Sequence, residues 1–363
     1  MSNKPEVYTK GNQWQKKVYT KMSEFVEAIP EVTTFGQSSN GNQYKHLLPI
    51  EQSKYNFVNE EIHTATRERF NQHKAGDLKR VLTNTAASQP YCFNLIIYLQ
   101  QNLPLADKLF SNLLNKEVII KHLEPEFTPN MCENIEGFER KDDESIGDQN
   151  LKFGSGTDAD IAVFYTYEEN KKGVLLIEFK FIESEFSVCS SYSGSMRKKN
   201  ETSTEKQERI RHKEMRQSIC NSLTFYNEMV DSVNSLCGYN KYLNWRLTEK
   251  SSVIDIEKIK VANSCPFRFG LNQLWRNFIL SEKIAKARDC DEFGFWVFSP
   301  IENDKYLWKN GNTETQFREI LTEKGNKHFE KVYLETILDI LSDVISEKDL
   351  VWLEKLEAKY RVY

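Results

Sequence analysis

No Cys-x-x-Cys pair occurs in the 363-residue chain, and its seven cysteines (92, 132, 189, 220, 237, 265 and 290) are scattered and odd in number. Such spacing argues against a zinc ribbon and against a disulfide framework, so a reducing cytoplasm is the expected compartment. Long apolar runs are missing as well. The longest, near FNLIIYL, is about a third of the roughly 20 residues that cross a bilayer, and the first residues, MSNKPEVYTKGNQWQKK, lack the apolar core of a signal peptide. There is no phosphate-binding Gly-rich loop, no His-x-x-x-His pair and no internal repeat, and the six histidines (46, 63, 73, 122, 212 and 328) are dispersed. Excess positive charge is absent too: 49 Lys and Arg against 53 Asp and Glu leave a net charge of −4. Nucleic-acid binders are often basic overall, so any such binding here has to rest on local charge.

What is present is core material. A hydrophobic content of 39% is ample for a large core, and the length allows one elaborated domain or two. The chain is organised around residues 157–183, TDADIAVFYTYEENKKGVLLIEFKFIE. Two runs of strand formers, IAVFYTY (161–167) and VLLIEFKF (174–181), flank a polar EENKKG turn, which predicts a hairpin. Asp160 opens the first strand, and Glu178 and Lys180 interrupt the second. Alternate strand residues share a face, so Glu178 and Lys180 point the same way. Acids of this kind can hold a hard divalent cation beside an ammonium, leaving positions for water and phosphate. The tripeptide Glu-x-Lys alone means little, since it also begins at Glu139, Glu169 and Glu357. A structural Glu178–Lys180 pair at a solvated strand end is the plainer alternative.

Elsewhere the spacing predicts helices over 13–28, 57–85 (broken at Gly76), 88–102 (with Ser88 as its cap), 105–116, 216–236 and 269–287. Strands are expected at 117–123, within ENIEGFER, at 253–263 and at 293–300, and residues 313–363 read as helical, with an apolar side that serves packing or dimerisation. After the hairpin, residues 184–206 read as a mobile Ser-rich loop. Between Met196 and Arg216, Lys or Arg stand at 197, 198, 199, 206, 209, 211, 213 and 216 against Glu at 201, 205, 208 and 214, a local excess of four positive charges. This is a phosphate-tracking arm or a surface helix laced with ion pairs.

Asp160, Glu178 and Lys180 across a hairpin resemble the PD-(D/E)XK nuclease superfamily, although the eponymous Pro is absent. With SQPYCFNL upstream and NQLWRNFILSEKIA and FGFWVF downstream, residues 84–305 resemble an uncharacterised bacterial branch of it. The resemblance implies an α/β fold: a restriction endonuclease-like core, a mixed central sheet flanked by helices, with added N- and C-terminal helices. The expected division is an N-terminal helical extension (1–83), the nuclease-like core (84–305, with a basic and helical insertion at 184–265) and C-terminal helices (306–363). It implies a metal-dependent endonuclease with DNA as its substrate, in restriction, phage defence or repair, although nothing in the residues themselves separates DNA from RNA. Asp160 and Glu178 would bind Mg²⁺ (or Mn²⁺), helped by the Phe179 carbonyl, and Lys180 would orient the attacking water, its proton made easier to lose by the dication. Several members carry an extra acid before the Asp strand, for which Glu139 is the candidate, and a Gln–Arg pair on a late helix, matching Gln273 and Arg276. A homodimer or a defence-system partner protein are the expected protein partners, with no membrane. One departure matters. A turn symmetric about residues 170–171 puts Asp160 opposite Phe181, on the wrong face, and Asp158 shares that parity, so a one-residue slip, bulge or bend near Asp160 is required. A nuclease-fold protein that binds nucleic acid without cleaving it is the alternative, which metal binding separates from the enzyme.

Overall fold

The computed structural model describes residues 5–73, 77–128, 158–194, 201–228, 237 and 244–362. At its centre is a five-stranded sheet in the order β1 (Ile119–Phe127), β2 (Ala159–Tyr167), β3 (Lys171–Phe179), β4 (Glu292–Ser299) and β5 (Phe329–Tyr333). The first three strands pair antiparallel and the last two add in parallel, so the sheet is mixed. Helices flank it on both faces. They include α1 (Gln13–Glu27), α2 (Glu60–His73), α3 (Leu78–Thr83), α4 (Ser88–Gln101), α5 (Leu103–Leu114), α6 (Ser203–Cys220), α7 (Leu271–Ala287), α8 (Asn312–Glu319), α9 (Leu334–Val344) and α10 (Leu350–Tyr360), with further short helices between.

Strand parity divides the core. Ile161, Val163, Leu175, Ile177, Phe179, Trp296 and Phe298 face one cluster, where Trp14, Phe93, Phe110, Leu338 and Leu356 bring α1, α4, α5, α9 and α10 together. Ala162, Phe164, Val174, Leu176, Phe295 and Val297 face the other, built on Leu274, Trp275 and Phe278 of α7. Covering both faces explains why VLLI in β3 is a continuous apolar run rather than an alternating one. The connection from β3 to its parallel neighbour β4 ends in α7, which runs across the second face and so brings its polar side chains over the end of β3.

Several expectations change. The hairpin loop is Glu168–Glu169–Asn170, all with positive φ, closed by Lys171 N–H donating to Glu168 O (2.9 Å). Lys171, Lys172 and Gly173, read as turn residues, are β3 residues. Gly173 serves the strand because it lies opposite Tyr165, whose ring would meet a Cβ there at 2.3 Å. Residues 253–263 hold a short helix, Ile256–Lys260, capped by Asp255, with Ile254 making only an isolated bridge to Leu321. The apolar spacing of VIDIEKI fits both periods, and the cap decides. The C-terminal region contains β5, unforeseen because KVY is too short to carry a period. α4 begins at Ser88, but the cap position is Ala87 with no side-chain cap. ENIEGFER lies outside the described residues.

Candidate functional site

The pairing of β2 with β3 runs Ile161 to Ile177, Ala162 to Leu176 and on to Tyr167 with Lys171. Continued by one residue, that register sets Asp160 directly opposite Glu178. The expected slip or bulge is therefore absent: the turn is centred on Glu169, and Asp160, Glu178 and Lys180 share a face with no distortion in that ladder. β1 extends the row. Glu124 pairs with Ala162 and Pro125 with Ile161, so Glu126 falls beside Asp160. Three acids, Glu126, Asp160 and Glu178, thus stand side by side on three adjacent strands.

Each is fixed by its surroundings. Phe179 N–H donates to Asp160 Oδ2 at 2.6 Å. Glu178 accepts from Gln273 Nε2 (2.5 Å) and Asn277 Nδ2 (2.6 Å), and Lys180 Nζ lies 2.6 Å from its Oε1. Gln273 and Asn277 are four apart on α7, hence on one helical face. Gln273 also accepts from Ser187 N–H (3.0 Å), tying the loop after β3 to the same helix. Glu126, with a positive φ of 50°, accepts from Gln89 Nε2 (2.7 Å), while Arg69 donates to Pro125 O and Glu126 O and pairs with Glu124. Beyond Lys180, Glu183 accepts from Ser88 Oγ and from Phe181 N–H (3.2 Å), and Arg80 lies 3.5 Å from it.

The electrostatics are those of crowded, dry acids. Glu178 and Lys180 are only 2% and 8% exposed, so they do not form a pair at a solvated strand end. Burial, then the Glu178 charge, pushes the Asp160 carboxyl well above the usual carboxylate range. Burial, then Asp160, pushes Glu126 up to about 8. Burial disfavours the Lys180 ammonium, but Glu178 and Asp160 outweigh it and hold the proton more tightly than on an ordinary lysine. Lys180 is thus an ammonium paired with Glu178.

A cluster of buried acids that repel one another fits a dication, and the donors are the oxygens a hard cation takes. Among the described residues no group of three or more His, Cys, Asp and Glu side chains converges as a metal cage. Asp160 and Glu178, with backbone oxygen and solvent, are the donor set on offer. Mg²⁺ sites of one or two carboxylates are of this kind.

The structure brings Asp160, Glu178, Lys180 and Gln273 together. Arg276 is on the same helix, three residues beyond Gln273. Asp158 is exposed, and Glu139 lies outside the described residues. Glu126 and Asn277 were missed. LEPEF hides a strand because Pro125 reads as a breaker, though a Pro is tolerated on an edge strand such as β1. Asn277 had a signal in its spacing of four from Gln273.

No curated protein and no solved structure matches the chain. Among family models, that described as Restriction Endonuclease associating with ARP matches residues 5–361. With nearly the whole chain matched, and with a mixed sheet flanked by helices, the protein belongs to this restriction endonuclease family.

Proposed function

We propose that this chain is a Mg²⁺-dependent endonuclease of the PD-(D/E)XK class that hydrolyses phosphodiester bonds of DNA in restriction, phage defence or repair. The observation that carries the reading is the register of the hairpin, which aligns Asp160 with Glu178 and leaves Lys180 on the same face, buried among acids. Asp160 and Glu178 would hold the metal, with the Phe179 carbonyl, while Glu126 adds negative charge from the neighbouring strand. When bound, the metal supplies a Lewis acid for the phosphoryl oxygen and lowers the pKa of a bound water. Gln273 and Asn277 fix the Glu178 carboxylate against rotation, so its oxygens are preorganised. With the acids neutralised, Lys180 would no longer be held on Glu178, and its ammonium would orient the nucleophile and stabilise charge on the phosphorane. Of the basic stretch, the described part includes α6, a mostly exposed helix opened by a Thr202–Glu205 capping box. Lys206 and Arg211 on it are exposed and suited to backbone phosphates.

A second reading has its own observation: Glu178 already receives hydrogen bonds from Gln273 and Asn277 and an ion pair from Lys180. A site closed in this way suits a nuclease fold that binds nucleic acid without cutting. The test is cleavage of linear, supercoiled and single-stranded DNA, and of RNA, with Mg²⁺ or Mn²⁺, by wild type and Lys180→Ala. Metal-dependent cleavage lost in the variant establishes the nuclease and names its substrate class. No cleavage together with no metal binding by calorimetry sinks it and leaves the binding module.

A further inference from the structure

A bowl of 450 Å³ opens at the start of α7, beside the carboxylate row but separate from it. Its wall includes Glu185, Arg268, Phe269, Lys309, Asn312 and Gln316. Its size falls in the range of about 300 to 1,000 Å³ that encloses small ligands. The connection to the site is direct: Gly270 lines the bowl, and Gln273, less than one helical turn further on, holds Glu178 and Ser187.

Three features define what fits. Phe269 is half exposed at 49%, braced edge-on by Tyr192 at 5.4 Å, with the Arg268 guanidinium 5.0 Å from its ring centre. An exposed ring beside a guanidinium is a surface on which a flat heterocycle stacks. Arg268 Nη1 donates to Cys265 O (2.7 Å) and to Ser264, yet its Nε is buried with no hydrogen-bond partner. The guanidinium therefore keeps hydrogen-bonding capacity beyond the contacts it makes within the protein. Lastly, the wall mixes signs: Arg268 and Lys309 oppose Glu185 and Glu319. A bare anion meets repulsion from the two acids, and an apolar ligand leaves all four charges unanswered. A heterocycle with donor and acceptor edges, carrying one phosphate, answers them all.

We propose that this bowl binds one nucleotide unit, its base stacked on Phe269 and its polar edge and phosphate held by the amide and charged side chains of the wall. The unit comes either from a free nucleotide or, resting on the hydrolase reading above, from a base turned out of the substrate strand next to the cleaved bond.

The test uses the full chain in EDTA, so that nothing is cut. Isothermal titration with the four deoxynucleoside 5′-monophosphates, and with orthophosphate, compares wild type with Gln316→Trp, which fills the bowl from an exposed position of α8. Saturable monophosphate binding, at least tenfold weaker for orthophosphate and for a Gln316→Trp protein of unchanged melting temperature, is the expected result. No saturable binding by wild type, or binding that Gln316→Trp leaves untouched, overturns the site. A duplex carrying 2-aminopurine identifies the source. A fluorescence rise on binding wild type but not the variant assigns the bowl to the substrate strand; monophosphate binding without that rise assigns it to a free nucleotide. The hydrolase reading is judged separately: a protein that cleaves with Mg²⁺ but binds no monophosphate and gives no rise loses the bowl and keeps the nuclease. One that binds monophosphates but neither cleaves nor binds metal loses the nuclease and keeps the bowl.

Discussion

Asp160 and Phe179 are joined across the central hairpin by a 2.6 Å hydrogen bond from the Phe179 amide to Asp160 Oδ2. It takes the place of the next ladder bond, so the strand end is closed by a side chain and the carboxylate is aimed at Glu178. Burial and the facing Glu178 charge, against which this hydrogen bond works, disfavour the Asp160 charge. Asp160→Asn keeps the shape and relieves that repulsion. We expect activity to fall by at least about a hundredfold, in line with loss of a group that positions transition-state charge, while stability is unchanged or rises by about 1 kcal/mol. Chemical denaturation alongside a cleavage assay checks both. A variant that loses activity because it unfolds contradicts the account.

Mg²⁺ should raise the melting temperature of wild type and not of Asp160→Asn. A ligand that binds only the folded state at a hundred times its Kd adds about 2.7 kcal/mol. Thermal melts across a Mg²⁺ series give the answer, and equal shifts in both proteins place the metal elsewhere.

Asn277 is 1% exposed and its amide reaches Glu178 Oε2. Asn277→Leu removes that donor and leaves the carboxylate held through Oε1 alone, by Gln273 and Lys180. Loss of a partner that orients a ligand weakens metal affinity or activity by about 10- to 100-fold. Calorimetric Mg²⁺ titration should show the loss, and Asn277→Gln should recover little of it, because the longer amide does not fit beside the strand.

His46 lies among Tyr8, Tyr19 and Tyr44, and burial lowers its pKa to about 4. The neutral ring is the folded form. Its contribution is fully present above the unfolded value near 6.5 and is lost as pH falls from about 6.5 towards 4, because the unfolded chain takes up the proton first. Wild type should therefore lose about 3 kcal/mol more than His46→Phe between pH 7 and pH 4. Urea titrations of the two proteins at each pH measure the difference. Comparing them cancels the opposite slope from Glu126 and Asp160, whose raised pKa values favour the folded state at low pH.

Reversing Lys206 and Arg211 to Glu should weaken DNA binding for all sequences alike and reduce the slope of log affinity against log salt by about one per lost phosphate contact. Fluorescence anisotropy at several salt concentrations tests this. An unchanged slope returns α6 to an ordinary surface helix.

The hairpin, its chemistry-bearing residues and most helices were legible in the amino-acid order, because period and composition are local properties. IAVFYTY and VLLIEF carry the β-branched and aromatic content of strands, LNQLWRNFILSEKIA carries the apolar spacing of an amphipathic helix, and Asp160, Glu178 and Lys180 stand out as charges in or next to the strands. The register was not local. Whether the loop centres on Glu169 or on 170–171 depends on three residues accepting positive φ and on Gly173 making room for the Tyr165 ring. That single choice moves Asp160 from the wrong face to the position opposite Glu178. The rest of the site came from long-range packing. Glu126 arrives on β1 and Asn277 on α7, 34 and 117 residues from Asp160 in the sequence. Their partners are fixed by strand pairing and helix packing, which no periodicity within either segment records.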